Sequence, residues 1–315
     1  MTVQPHVTRS RARPGGGAGR DEAVLPFRER KPAWLKVKAP GGPTYRRIQA
    51  LMRSKSLHTV CEEASCPNIG ECWERGTATF MILGDTCTRR CGFCNVKSGV
   101  PGIVDRAEPL RVAHAVAQMG LRHCVVTSVD RDDLPDGGAG IFAHTIRAIR
   151  ARAPGCAVEV LTPDFRGQEM PLARVVDARP DVFNHNLETV PRLYPKARRG
   201  SDFARSCRVL VNAKRMDPSV VTKSGLMVGL GESFEEMVEA FAALREHEVE
   251  VLTVGQYLRP SEDHLPVVRY WTPDEFAALE REAYALGFAS VASGPLVRSS
   301  YHADEQVPLR RAAAS

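Results

Sequence analysis

Between residues 77 and 295 the chain alternates short apolar, β-branched runs with longer stretches whose apolar positions recur every three or four residues. The runs at 79–83, 124–129, 158–162, 182–185, 225–230 and 251–257 predict six strands. Leu110, Ala113, Val116, Ala117 and Met119 mark one intervening helix. Phe234, Met237, Val238, Phe241 and Leu244 mark another, which Ser233 can cap with Glu235 and Glu236 in its first turn. Such alternation predicts an α/β fold of parallel strands joined by right-handed crossovers. Six units fall short of the eight of a closed barrel, which leaves an open, partial (β/α)6 TIM-type barrel or a doubly wound sheet. Either way ligands belong at the carboxyl ends of the strands. Polar residues and glycines gather there: Asp85, Asp130 to Asp133, Asp164, His185 to Glu188 and Gly229 to Glu232.

Outside residues 77–295 the pattern fades. Residues 1–40 read as a disordered basic leader, with Arg9, Arg11, Arg13 and Arg20 but no acid before Asp21. A secretory signal needs an apolar stretch that is missing here. An organellar transit peptide needs an amphipathic helix, which Pro14, Gly15, Gly16 and Gly17 would break. Residues 41–76 form an N-terminal extension, and 296–315 a C-terminal segment ending loosely. In the extension, Arg46, Arg47, Arg53, Lys55 and His58 surround Ile48, Leu51 and Met52. That is either a basic helix that docks an acidic carrier or a solvated helix face.

Composition adds limits. The 315 residues are 43% apolar and 25% charged, enough for a core, and no apolar run reaches the roughly 18 residues of a membrane helix. No membrane association is expected. A net charge of +6, from 43 basic and 37 acidic residues, is too mild to indicate nucleic acid. The nine cysteines change the picture more. Their odd number, without a secretory signal, argues against a disulfide framework, and most of them cluster between Cys61 and Cys94.

Cys87, Cys91 and Cys94 follow the first predicted strand. Three thiolates on one tight loop can hold three irons of a four-iron cluster and leave the fourth open to a small molecule. Zinc would want a fourth ligand, and no Cys or His is near in sequence. Arg89 and Arg90 inside the loop are expected to favour thiolate over thiol. Cys61, Cys66 and Cys72 form a second triplet of different spacing, which implies a second cluster. Cys124, Cys156 and Cys207 are isolated and read as small buried hydrophobes.

The run Cys87-x3-Cys91-x-Phe93-Cys94 resembles the signature of the radical S-adenosylmethionine (SAM) superfamily. The segment Cys61-Glu62-Glu63-Ala64-Ser65-Cys66-Pro67-Asn68-Ile69-Gly70-Glu71-Cys72 resembles the auxiliary-cluster motif of the lipoyl synthases. So do Ala78 to Gly84, Arg131 to Gly138, His185 to Pro191, Thr222 to Glu232, and Arg298-Ser299-Ser300-Tyr301. The resemblance spans residues 45–302.

It implies two 4Fe-4S clusters and SAM. The open iron on the Cys87, Cys91 and Cys94 cluster would be chelated by SAM, with Phe93 near its adenine. Gly229, Gly231 and Glu232 would meet the methionyl amine; from their place at the strand ends, Asp130, Arg131, Asp132 and Asp133, with His185, Asn186 and Glu188, are expected either to bind the SAM ribose and carboxylate or to orient substrate. Cys61, Cys66 and Cys72 would hold the auxiliary cluster, with Ser299 as oxygen ligand to its fourth iron and Arg298 in support. A hard oxygen among soft thiolates is the easiest ligand to displace. The implied activity is insertion of two sulfur atoms at C6 and C8 of a protein-bound octanoyl chain, with the auxiliary cluster as donor. The implied partners are octanoylated lipoyl carrier domains (2-oxoacid dehydrogenase E2 or the glycine cleavage H protein), a low-potential electron donor and an iron–sulfur cluster carrier. A monomer in a reducing interior is expected, either bacterial cytoplasm or an organelle matrix. Lys223, Gln256, Arg259 and His264 are weaker site candidates. Two further readings remain: another sulfur-inserting or methylthiolating radical enzyme, and a non-enzyme iron–sulfur carrier or zinc-stabilised scaffold.

Overall fold

The computed structural model describes residues 24–37, 40–63, 66–74 and 77–306; the basic run 1–23 and the tail from 307 lie outside the described residues. The extension carries α1 (Pro43–Ser54), a short β1 (His58–Thr59), α2 (Val60–Glu63) and α3 (Ile69–Glu74). There follow β2 (Ala78–Ile82), the short β3 (Thr86–Cys87) and β4 (Lys97–Ser98), α4 (Glu108–Met119), β5 (His123–Ser128), α5 (Ala139–Arg152), β6 (Ala157–Leu161), α6 (Glu169–Val176) and β7 (Val182–Asn184). Next come α7 (Tyr194–Ala197), α8 (Phe203–Met216), β8 (Val221–Val228), α9 (Phe234–Glu246), β9 (Val251–Gln256), α10 (Pro273–Ala285), β10 (Ser290–Gly294) and α11 (Ala303–Gln306).

The main sheet has the order β1-β2-β5-β6-β7-β8-β9-β10. From β2 to β10 each strand pairs in parallel with the next, while β1 lies antiparallel on the outer edge of β2. A strand order that never reverses has no switch point. The doubly wound alternative therefore falls away, and an open, barrel-type winding remains. All five residues of β2 are buried, as befits a strand covered on both faces. The α9 cap forms as expected: Ser233 accepts from the N–H of Glu236, whose carboxylate accepts from Ser233 N–H.

Two predictions need correction. The sheet has a seventh parallel strand, β10, whose Ser-Val-Ala-Ser-Gly sequence buries only Val291 and so gives no apolar run. Strand β8 starts at Val221, ahead of the predicted 225, because Thr222, Lys223 and Ser224 are polar yet buried. The loose leader is also shorter than 40 residues. Leu25 N–H donates to Val267 O at 2.8 Å and Leu35 is buried, so part of residues 24–37 lies against the barrel. In α1, Ile48 and Met52 face inward while Arg46, Arg47 and Arg53 are exposed.

Candidate active site

Strand β2 ends in a sharp turn, where Leu83 and Gly84 take positive φ of 70° and 91°. The buried Glu108 carboxylate fastens it by accepting from Leu83 N–H at 2.7 Å. The turn feeds the loop of Cys87, Cys91 and Cys94. Backbone bonds hold this loop: Gly99 N–H to Cys87 O at 2.9 Å, Gly92 N–H to Ala197 O at 2.8 Å, and Leu265 N–H to Gly92 O at 2.8 Å. A Cβ at Gly92 would meet Leu265 Cγ at 2.8 Å, so the close approach requires glycine. His264 Nε2 lies 3.0 Å from Cys94 O. The N–H groups of Arg89 and Asp130 donate to Cys87 Sγ at 3.4 and 3.3 Å.

Burial pushes the Cys87 and Cys91 thiols up to about 12 and Cys94 to about 11. The expected help from Arg89 and Arg90 does not materialise. Arg89 turns away to bond Asp132 at 2.7 and 2.8 Å and Asp164 at 2.7 Å, and Arg90 is exposed. The charge that makes these sulfurs thiolates must therefore come chiefly from what they bind.

The neighbouring strand ends separate structural acids from available ones. Asp132 is held by Arg89 and Asp133 by Arg131, at 2.8 Å. Asp130 has one oxygen, Oδ1, 3.5 Å from Arg89 Nε and keeps the other, Oδ2, 3.7 Å from Cys87 Sγ, and burial raises its carboxyl against the Arg89 charge. Asn186 Nδ2 donates to Glu188 Oε1 at 3.0 Å, and burial raises the Glu188 carboxyl as well. Glu188 has a φ of 68° and its N–H donates to Gly225 O at 2.9 Å. The buried Arg198 donates to Tyr194 Oη at 3.2 Å and Ser206 Oγ at 2.9 Å, and its other arm lies 3.3 Å from His185 Nε2.

After β8, Gly229 and Gly231 both take φ of 108°. A Cβ at Gly229 would fall 2.1 Å from Gln256 Nε2. The Glu232 carboxylate accepts from the N–H groups of Gly229 and Leu230, so both its oxygens serve its own loop. Phe93 is half-buried against the main core. The predicted residues of this group therefore share the carboxyl ends of β2, β5, β7 and β8. Among the weaker candidates, Gln256 Nε2 is tied to backbone carbonyls, and Arg259 donates to His264 O.

The other triplet sits elsewhere. Cys61, Cys66 and Cys72 line a small cavity with Thr79, His123, Val125, Arg298, Ser300 and Tyr301. Ser299 is absent from that lining and its neighbour Ser300 is present, a difference from the sequence expectation. Thr79 and His123 lie at the amino ends of β2 and β5, so the triplets occupy opposite ends of the strands. A five-residue strand such as β2 spans about 13 Å. The C-terminal segment is clasped over the cavity: Asn68 Nδ2 donates to Leu296 O at 2.6 Å, Tyr301 Oη to Glu71 at 3.2 Å, and His302 Nε2 lies 2.8 Å from Glu71. Burial raises the Cys61 thiol to about 12 and also raises Cys66, which the nearby Arg298 charge opposes.

Between the ends, Lys223 Nζ and Glu159 Oε1 form a fully buried pair at 3.0 Å. Asn184 Nδ2 donates to Glu159 Oε1 at 2.9 Å, and His123 Nε2 lies 3.3 Å from Oε2. His123, which lines the cysteine cavity, has Nδ1 buried without a hydrogen-bond partner, and the Trp73 indole nitrogen is buried against Cys61 with no oxygen or nitrogen acceptor. A sulfide- and thiolate-bearing group suits such a cavity, because it supplies acceptors where the protein leaves a donor unmet. Among the described residues no three His, Cys, Asp or Glu side chains converge as ligands of a single metal ion. The case for clusters therefore rests on spacing and lining. The sequence reading passes over Ser300, His123, Trp73, Asn68 and Arg198. Asn68 and Ser300 lie inside the quoted motifs, and His123 shares a strand face with Val125 by period-two alternation; Trp73 and Arg198 carried no such signal.

Among the described residues no helix is long and apolar enough to cross a membrane. Residues 81–244 match the family model for the radical SAM superfamily, and residues 19–66 that for the N-terminal domain of lipoyl synthase. The chain is 61% identical over 293 residues to a lipoyl synthase of Rubrobacter xylanophilus, covering 91% of each. It is 57% identical over 286 residues to a lipoyl synthase of Laribacter hongkongensis, covering 90% of this chain and 91% of the relative. Among solved structures it resembles methylornithine synthase, with a TM-score of 0.54 at 13% identity over 79% of this chain and 74% of that one. This likeness speaks to fold alone.

Proposed function

The chain belongs to the lipoyl synthases, sulfur-inserting enzymes of the radical SAM superfamily, and from that membership we propose how its two cysteine sites divide the reaction. Cys87, Cys91 and Cys94 would hold a 4Fe-4S cluster that binds SAM. Cys61, Cys66 and Cys72 would hold a second, consumed as sulfur donor, and an octanoyl chain would lie between them. The observation that carries this division is the position of the triplets at opposite ends of the strands. When bound, SAM and the clusters supply a radical able to take hydrogen from unactivated C–H bonds and the sulfur that replaces it.

The chain's own residues bind and orient. Asp130 and Glu188 offer carboxylates beside the first cysteine loop, and Asn186 fixes Glu188. Gly229 and Gly231 let the chain turn sharply at the end of β8 with Gly229 packed against Gln256, Glu232 holds that turn in shape, and Phe93 offers an aromatic face for adenine. At the other end Arg298 supplies positive charge near Cys66. Ser299 would be the oxygen ligand, with its neighbour Ser300, which lines the cavity, as the alternative. The partners would be octanoylated lipoyl carrier domains, a low-potential electron donor and an iron–sulfur cluster carrier, met by a monomer in a bacterial cytoplasm. Anaerobically reconstituted protein given reductant, SAM and an octanoyl-lysyl carrier should yield lipoyl product and contain about eight irons per chain. SAM cleavage without sulfur on the carrier would sink the reading.

A further inference from the structure

Trp73 follows Cys72 at the end of α3 and is fully buried. Tyr45 of α1 stacks on it, with ring centroids 5.0 Å apart and planes at 29°, which fixes the indole. Its Nε1 can only donate, no oxygen or nitrogen accepts from it, and it faces the Cys61 sulfur. The sulfur next to it is Cys61, which the N–H of Thr79 also addresses. A neutral thiol is a weak acceptor, whereas a metal-bound thiolate carries charge and accepts strongly.

We propose that the Trp73 indole N–H donates to the Cys61 thiolate when the auxiliary cluster is bound, holding that ligand in place and raising the cluster's reduction potential. The inference rests on the assignment of Cys61, Cys66 and Cys72 as cluster ligands. Hydrogen bonds to cluster sulfurs are among the features that set such potentials, because they stabilise the more negative, reduced state. Trp73 is a positioning residue: it acts through Cys61 and touches no substrate.

The test uses the full-length chain carrying Cys87→Ala, Cys91→Ala and Cys94→Ala, so that only the auxiliary cluster remains, with and without Trp73→Phe. Phenylalanine keeps an aromatic ring for Tyr45 and removes the N–H. The midpoint potential should fall by about 59 mV, a roughly tenfold smaller ratio of reduced to oxidised cluster at fixed potential. In protein that retains Trp73, indole-¹⁵N labelling should give a hyperfine coupling to the reduced cluster, a readout that needs no mutation at that position. Equal potentials together with no ¹⁵N coupling would overturn the hydrogen bond while leaving the ligand assignment standing. Failure of the triple variant to take up iron would overturn the ligand assignment and this inference with it.

Discussion

Replacing Lys223 by methionine should destabilise the protein by about 3–5 kcal/mol, the usual cost of stripping one partner from a buried pair. Lys223 and Glu159 both have fully buried side chains, 3.0 Å apart. A second observation gives the same direction. Burial alone would raise the Glu159 carboxyl, but the Lys223 charge and the bonds from His123 and Asn184 bring it from 4.5 down to about 2. The depressed value means that ionised Glu159, held by these partners, adds to the stability of the fold. The sign follows from the depressed value: the stabilisation is present above about pH 4.5 and is lost as pH falls towards 2. In Lys223→Met the burial is no longer opposed by the ammonium, so Glu159 should titrate upwards. The variant should then recover part of its stability on acidification, where the parent loses it. Urea unfolding of apo-protein across pH 2–8, under reducing conditions, reads both effects. Glu159→Leu with Lys223→Met should restore most of the loss, since apolar replacement of a buried pair is often neutral or better. A single-variant loss below about 1 kcal/mol, or a pH profile parallel to the parent's, would refute the account.

Other outcomes follow from the two sites. Cys87→Ala should abolish SAM cleavage, whereas Cys61→Ala should spare it and abolish sulfur insertion; 5′-deoxyadenosine and lipoyl product are measured separately, and equal failure at cleavage would undo the division of labour. Ser299→Ala should block sulfur insertion while Ser300→Ala leaves it largely intact, and the reverse result would move the ligand to Ser300. Gly229→Ala places a Cβ 2.1 Å from Gln256 Nε2 at a φ of 108°, so a stability loss of about 1–3 kcal/mol and weaker SAM binding are expected, checked by unfolding and by SAM titration.

Apolar runs revealed β2, β5 and β9, where burial on both faces demands continuous hydrophobicity. They hid β10 and the first half of β8, whose polar residues find partners inside, as Lys223 does with Glu159. Cysteine spacing exposed both triplets, because three side chains brought together from one short segment lie near one another in sequence. The serine could not be resolved in the same way. Ser299 and Ser300 are adjacent, and only the course of the segment after β10 decides which side chain enters the cavity. The roles of Arg89 and Glu232 were also hidden. Each carries the charge expected of a ligand-binding group, yet each is engaged by its own protein, Arg89 with Asp132 and Asp164, Glu232 with its own loop.

The clasp that joins Asn68 to Leu296 and Glu71 to Tyr301 also sets an order of events during synthesis. Cys72 leaves the ribosome long before Ser300, roughly 10–45 s earlier at 5–20 residues per second. Throughout that interval the early cysteines lack the segment that covers their cavity. The C-terminal segment thus works as a closing latch fitted last. Its final helix, α11, then packs on β5 and β10 and buries Ala303 and Gln306, so closing the cavity also completes the packing at that end of the strands.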